Sequence, residues 1–146
     1  MPEIEERFAE AMFGAARAWR QAIDRRLKPL GVSQASWAAL AVASDASAAP
    51  LSQSELAERL GVEGATTVAT VDRLVKAGLV ERRPSNSDRR VNLVIVTDGG
   101  ARVVEVARVE AAAARRKLLA DVDPRKLAAA TELLEAVQAR IGSAAC

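Results

Sequence analysis

Between Leu51 and Val96 the sequence is punctuated so closely that it leaves little freedom of fold. Ser52 and Glu55 stand at the spacing of a capping box, in which the serine hydroxyl accepts from the amide at Glu55 and the carboxylate returns the bond. Leu51 precedes them as a hydrophobic staple. The short helix they open carries Leu56, Ala57 and Leu60 inward and stops at Gly61, a glycine suited to the turn past a helix end. A second helix spans roughly Gly64 to Ala77 and stops at Gly78. One of its faces reads Thr67, Val68, Val71, Leu74 and Val75, and the other reads Thr66, Ala69, Thr70 and Arg73. Leu79 to Arg83 and Val91 to Val96 then read as strands. The polar turn PSNSDRR joins them into a hairpin.

The flanks follow a helical period. Ile4, Phe8, Met12, Ala15, Trp19, Ile23, Leu27 and Leu30 recur at steps of three or four residues. Pro29 limits that helix, because proline disfavours the α conformation at the residue before it. Ser33 caps another, with Trp37, Leu40 and Ala41 on one face. DASAAP, from Asp45 to Pro50, reads as a loop. Thr97-Asp98 caps a long helix from about Gly99 to Ala120, and Asp123-Pro124 opens a last one. Leu127, Leu133, Leu134, Val137 and Ile141 line that last helix, and the terminal GSAAC is expected to fray. With 146 residues the chain is read as a single domain, 1–146. Aromatic residues make up only 3%, too few for a large β-sandwich, while the abundant alanine favours helix. The expected class is mainly α with a small β-hairpin wing. A winged helix-turn-helix over about 33–97 is flanked by dimerisation helices at about 3–30 and 99–142.

Several function classes are excluded by what is missing. There is no histidine, which removes Ser-His-Asp and Cys-His catalysis and the usual zinc sites. The carboxylates are scattered, so no enzyme, metal or cofactor is expected. The single cysteine, Cys146, can form no intrachain disulfide and fits a reducing compartment. It has no second thiol to resolve an oxidised form, so oxidation is not expected to switch the protein. The N-terminal residues lack a basic then apolar leader, and no apolar run reaches the length of a membrane span. A cytoplasmic protein with no membrane partner is the expectation.

Two short helices joined through a glycine and followed by a hairpin have a specific use. The first braces the second, the second offers small residues to base edges in the major groove, and the hairpin brings a basic tip to a neighbouring groove. Thr66 and Thr70 can hydrogen-bond and offer methyls to thymine, Ala69 permits close approach, and Arg73 suits a phosphate or a guanine. From Arg73 to Arg90 six basic residues face two acidic ones, a surplus of four in a chain whose net charge is only +2. One concentrated basic patch on a weakly charged protein is what a specific DNA binder can look like.

The run LSQSELAERLGVEGATTVATVDRLVKAGLVERRPSNSDRRVNLVIVTDGG resembles the MarR family of winged-helix regulators, in the arrangement of its SlyA branch. SQSELAERLGV matches the brace, VDRLVKAGLVERR the recognition helix and following strand, and DRR with LVIVTDGG the wing. The resemblance implies a homodimer, made by the N- and C-terminal helices, on a pseudo-palindromic operator in double-stranded DNA. It also implies a repressor released by a small ligand. Gly64, Ala65, Thr66, Ala69, Thr70 and Arg73 fall on the implied recognition helix. Ser87, Asp88, Arg89 and Arg90 fall on the wing, where Arg90 would enter the minor groove and Asp88 would orient it. Ser52 and Gln53 are candidate phosphate contacts beside their capping role.

An effector pocket for a small aromatic acid is the resemblance's further implication. Met12, Trp19 and Trp37 would line it and Arg17 or Arg20 would hold a carboxylate; otherwise the tryptophans are core or interface residues and the arginines are solvated. Ala38 and Ala39 stand where the urate-responsive branch carries an acid, so no urate response is expected. The apolar stripes of the first and last helices, Ile23 and Leu134 among them, would be buried against a symmetry mate. The alternative of another class is a winged-helix module for protein contacts, without specific DNA binding.

Overall fold

The computed structural model describes Met1 and residues 3–144. Cys146, and with it the lone thiol, lies outside the described residues. Among the described residues, six α-helices and one hairpin follow in the order the sequence anticipates. They are α1 (Ile4–Leu27), α2 (Gln34–Asp45), α3 (Gln53–Leu60), α4 (Gly64–Lys76), β1 (Val80–Pro84), β2 (Asn92–Val96), α5 (Asp98–Leu118) and α6 (Pro124–Ala144). A 3-10 turn, Lys28–Leu30, closes α1, and Gly31 reverses the chain with a φ of 74°. The chain forms two compact units, one from Met1 to Ala114 and one beginning at Arg115.

The first unit is built around two clusters. Leu40, Leu56, Val71, Leu74, Val80, Val94 and Val104 pack at the centre, drawing on α2, α3, α4, both strands and α5. Ile23, Leu27, Val32, Ala107 and Ala114 form the second, where α1 meets α5. Ile23 is therefore an internal core residue of this chain, not an open interface position as the stripe implied. On α2 the buried face is Ser36, Ala39, Leu40 and Ala43. Trp37 and Ala41 are half-buried, so the inward face is rotated from the expected one. Ser33 caps α2, accepting from the Ser36 amide at 3.1 Å. Asp24 of α1 accepts from the Gln34 amide at 2.5 Å, tying α1 to the start of α2.

The strands pair antiparallel, from Val80 opposite Val96 to Pro84 opposite Asn92. The free edge of β2 is partly covered, because the Val94 amide donates to the Leu51 carbonyl at 2.8 Å. The residues that open the brace helix are thus stitched to the wing. Thr97 joins hairpin to helix: its hydroxyl donates to the Gly78 carbonyl at 2.7 Å and accepts from the Gly100 amide at 3.1 Å.

In the second unit Asp123 caps α6, its carboxylate accepting from the Arg125 amide at 2.9 Å. The helix runs through Gly142 and Ser143 to Ala144, where the sequence anticipated fraying; the last two residues of GSAAC lie outside the described residues. No described residue of α6 is buried, and Leu127, Leu133, Leu134 and Ile141 are exposed.

Candidate nucleic-acid interface

The capping box forms as its spacing requires. Ser52 accepts from the Glu55 amide and Glu55 from the Ser52 amide, both at 3.1 Å. The Ser52 backbone bond, then its hydroxyl, hold the Glu55 carboxyl below the ordinary carboxylate range. This use consumes Ser52. The residue is buried, so as a phosphate contact it is disfavoured. Gln53 is also engaged, accepting from the Arg82 Nε at 2.7 Å.

Helix α4 presents Gly64, Ala65, Thr66, Ala69 and Arg73 to solvent. Thr70 does not join them. It is only 4% exposed and packs inward with Thr67, Val71 and Leu74. Its hydroxyl donates to the Thr66 carbonyl at 3.0 Å and accepts from Arg73 at 3.3 Å. Val68, assigned to the inner face by its apolar side chain, is 41% exposed, and Val75 is exposed too. The outward surface is consequently more apolar than the sequence implied.

At the wing tip the Asp88 carboxylate accepts from the Arg90 backbone amide at 3.0 Å and from its Nε at 3.2 Å. A further Arg90 guanidinium nitrogen reaches the second carboxylate oxygen at 3.4 Å. The guanidinium bonds, then the backbone bond, lower the Asp88 pKa. The Arg90 side chain is nonetheless 91% exposed, held at its base and open at its face. Ser87 is exposed beside it, its hydroxyl 3.0 Å from that of Ser85, and Arg89 is exposed.

Part of the basic surplus is engaged in ion pairs. Arg82 pairs with Asp72 at 2.5 Å and Arg83 with Glu81 at 2.9 Å. Of the six basic residues, Arg73, Lys76 and Arg89 make no ion pair among the described residues, and Arg90 pairs with Asp88. The Arg82 network was not visible in the sequence, because its three partners come from segments far apart along the chain.

The five candidate pocket residues differ in exposure. Trp19, Arg17 and Arg20 are exposed on α1, and Met12 is half-buried. Trp37 packs against the cluster around Leu27, and its indole nitrogen is buried without a partner. A depression of about 440 Å³ at the corner of α1 and α2 is lined by Asp24, Arg25, Lys28, Gly31, Val32 and Ser33, and by none of the five.

Two braced helices with a hairpin carrying an oriented arginine form a winged helix-turn-helix. Residues 30–91 match the MarR family. Among solved structures, the chain is 27% identical to the transcriptional regulator BldR from Sulfolobus solfataricus, with a TM-score of 0.80 over 98% of this chain and 99% of that one. It is 24% identical to a mutant MarR from E. coli complexed with operator DNA, with a TM-score of 0.83 over 93% and 99%. It is 22% identical to CouR from Rhodococcus jostii RHA1 bound to p-coumaroyl-CoA, with a TM-score of 0.79 over 94% and 95%. Together these matches show a winged-helix fold like that of MarR-family transcriptional regulators. Among the described residues no helix is long and apolar enough to cross a membrane.

Proposed function

We propose that this chain is a cytoplasmic, homodimeric, sequence-specific repressor of the SlyA-like kind, with α4 in the major groove and the wing in the minor groove of a pseudo-palindromic operator. The observation that carries the reading is the wing tip, where Asp88 fixes the base of an otherwise open Arg90 guanidinium. An arginine held this way loses less freedom on entering a narrow groove, where it reads potential and width more than base identity. The exposed first turns of α4 lie in the same unit, ready for the neighbouring groove. The operator complex of the E. coli relative lends support to this use of the fold.

A small aromatic ligand is proposed as the releasing signal. The p-coumaroyl-CoA bound by CouR favours a ligand of that class. Release requires that the ligand prefer a dimer whose recognition helices no longer fit the operator. Selection of binding sites from genomic fragments, repeated at two salt concentrations, tests the main reading. A regulator enriches a few fragments and loses affinity steeply with salt. A protein-contact module enriches none, and that result ends the proposal.

A further inference from the structure

The basic residues near the wing divide into those left to solvent and one that is not. Arg82 sits on β1, yet its side chain is only 26% exposed. Its Nε donates to the Gln53 side-chain oxygen at 2.7 Å, and a terminal nitrogen donates to Asp72 at 2.5 Å and to the Val68 carbonyl at 3.4 Å. Gln53 opens α3, while Val68 and Asp72 stand one turn apart on α4. One guanidinium therefore touches the brace and the recognition helix from the strand that carries the wing.

We infer that Arg82 is a positioning residue for DNA recognition, fixing the roll of α4 about its own axis and so the side chains the helix presents to a groove. The inference rests on the DNA-binding reading above. The buried face of α4 is Thr67, Thr70, Val71 and Leu74, small and non-directional contacts, with the Thr67 hydroxyl left unpartnered. Apolar burial holds the helix down but specifies its roll weakly. At about 100° per residue, Val68 and Asp72 fall well round the helix from the centre of that face. A grip there resists rolling. The guanidinium suits the task because its donors form a rigid planar fork, which a lysine ammonium does not. The position of Arg82 is itself set by the strand ladder, opposite Val94. The arrangement also accounts for Asp72, an exposed carboxylate on a helix that would bind a polyanion better without it.

The test compares wild type with Arg82→Met, Arg82→Lys and Asp72→Asn, using Arg90→Ala as the reference for a direct DNA contact. Affinity is measured on a selected operator and on random DNA at several salt concentrations, with thermal unfolding to show that each variant is folded. Arg82→Met and Asp72→Asn should each weaken the operator about tenfold, the loss of roughly one well-placed base contact. Random-DNA affinity and the salt slope should stay at the wild-type values. Arg82→Lys should behave like Arg82→Met. Arg90→Ala should flatten the slope by about one.

The sign for Asp72→Asn is decisive, since removing a negative charge should by electrostatics alone tighten binding to both DNAs. Tightening, or a flattened slope with parallel losses in Arg82→Met, makes Arg82 a phosphate contact and overturns the inference while the regulator reading stands. If wild type selects no DNA, both fall. Nitrogen NMR of the wild type gives a reading independent of any variant. The Arg82 Nε–H signal should be protected in the free protein and little shifted by operator, whereas a large shift beside that of Arg90 contradicts the positioning role.

Discussion

Single residues in this chain are constrained over very different distances along it. Ser52 and Glu55 were legible because a capping box is a local spacing whose partners lie within one turn. Gly100 was not, because its constraint comes from another segment. A Cβ there would lie 2.1 Å from the Leu79 carbonyl oxygen and 2.9 Å from a Val96 methyl. The same carbonyl accepts from the Thr97 amide at 3.1 Å, so it cannot move freely. Gly100→Ala should cost about 1–3 kcal/mol, the usual range for forcing an extra methyl into a packed site. Urea unfolding checks this against Gly64→Ala, where nothing lies within 4 Å and little change is expected. The cap makes a pH prediction. The folded Glu55 carboxyl has a lowered pKa, so its contribution is complete above the ordinary carboxylate range and is lost as pH falls through the lowered folded value. Glu55→Gln should flatten this part of the acid limb in urea midpoints measured from neutral to strongly acid pH. An acid limb identical to wild type contradicts it.

At the scale of elements, every helix and both strands were legible, but the roll of α4 was not. Its composition is nearly the same on all sides, with β-branched residues inside and out. Thr70 can turn inward because it takes a partner with it, the Thr66 carbonyl, while Val68 is left outside. The first turns therefore face out with Gly64, Ala65, Thr66, Val68 and Ala69. None of these has the amide or guanidinium needed for paired bonds to guanine or adenine, which leaves the Thr66 hydroxyl and contacts to thymine methyls. Thr66→Val should cost about 1–3 kcal/mol on the operator and little on random DNA. Thr70→Val should act on stability first, because its hydroxyl is used within the helix. Replacing thymine by deoxyuridine within the selected half-site should weaken wild-type binding. An operator indifferent to that replacement, with Thr70→Val losing more discrimination than Thr66→Val, would restore the face first read from the sequence.

For the molecule as a whole the question is what covers the helices at its ends. The sequence assigned the entire stripe of α1 to a partner, but Ile23 and Leu27 are spent on the core of their own chain. What remains open on α1 lies farther toward its start, at Ile4, Phe13 and Trp19. On α6 the need is plainer: Leu127, Leu133, Leu134 and Ile141 are all exposed, and Ile141 is 64% exposed. Burying one such side chain fully is worth about 1.5–3 kcal/mol, so four on one helix supply a strong drive toward association. In the proposed homodimer a second copy, meeting the first across a two-fold axis, would cover the same patch on both chains at once. Light scattering at micromolar concentration should therefore give twice the 15.4 kDa chain mass. Leu134→Asp and Ile141→Asp should shift the protein toward monomer or aggregate and weaken operator binding, since a single half-site cannot supply the affinity of two linked ones. Ile23→Asp should instead unfold the first unit, a loss of secondary structure that Leu134→Asp does not share. A wild-type chain that stays a well-folded monomer while binding the full operator tightly would remove the dimer from the proposed function.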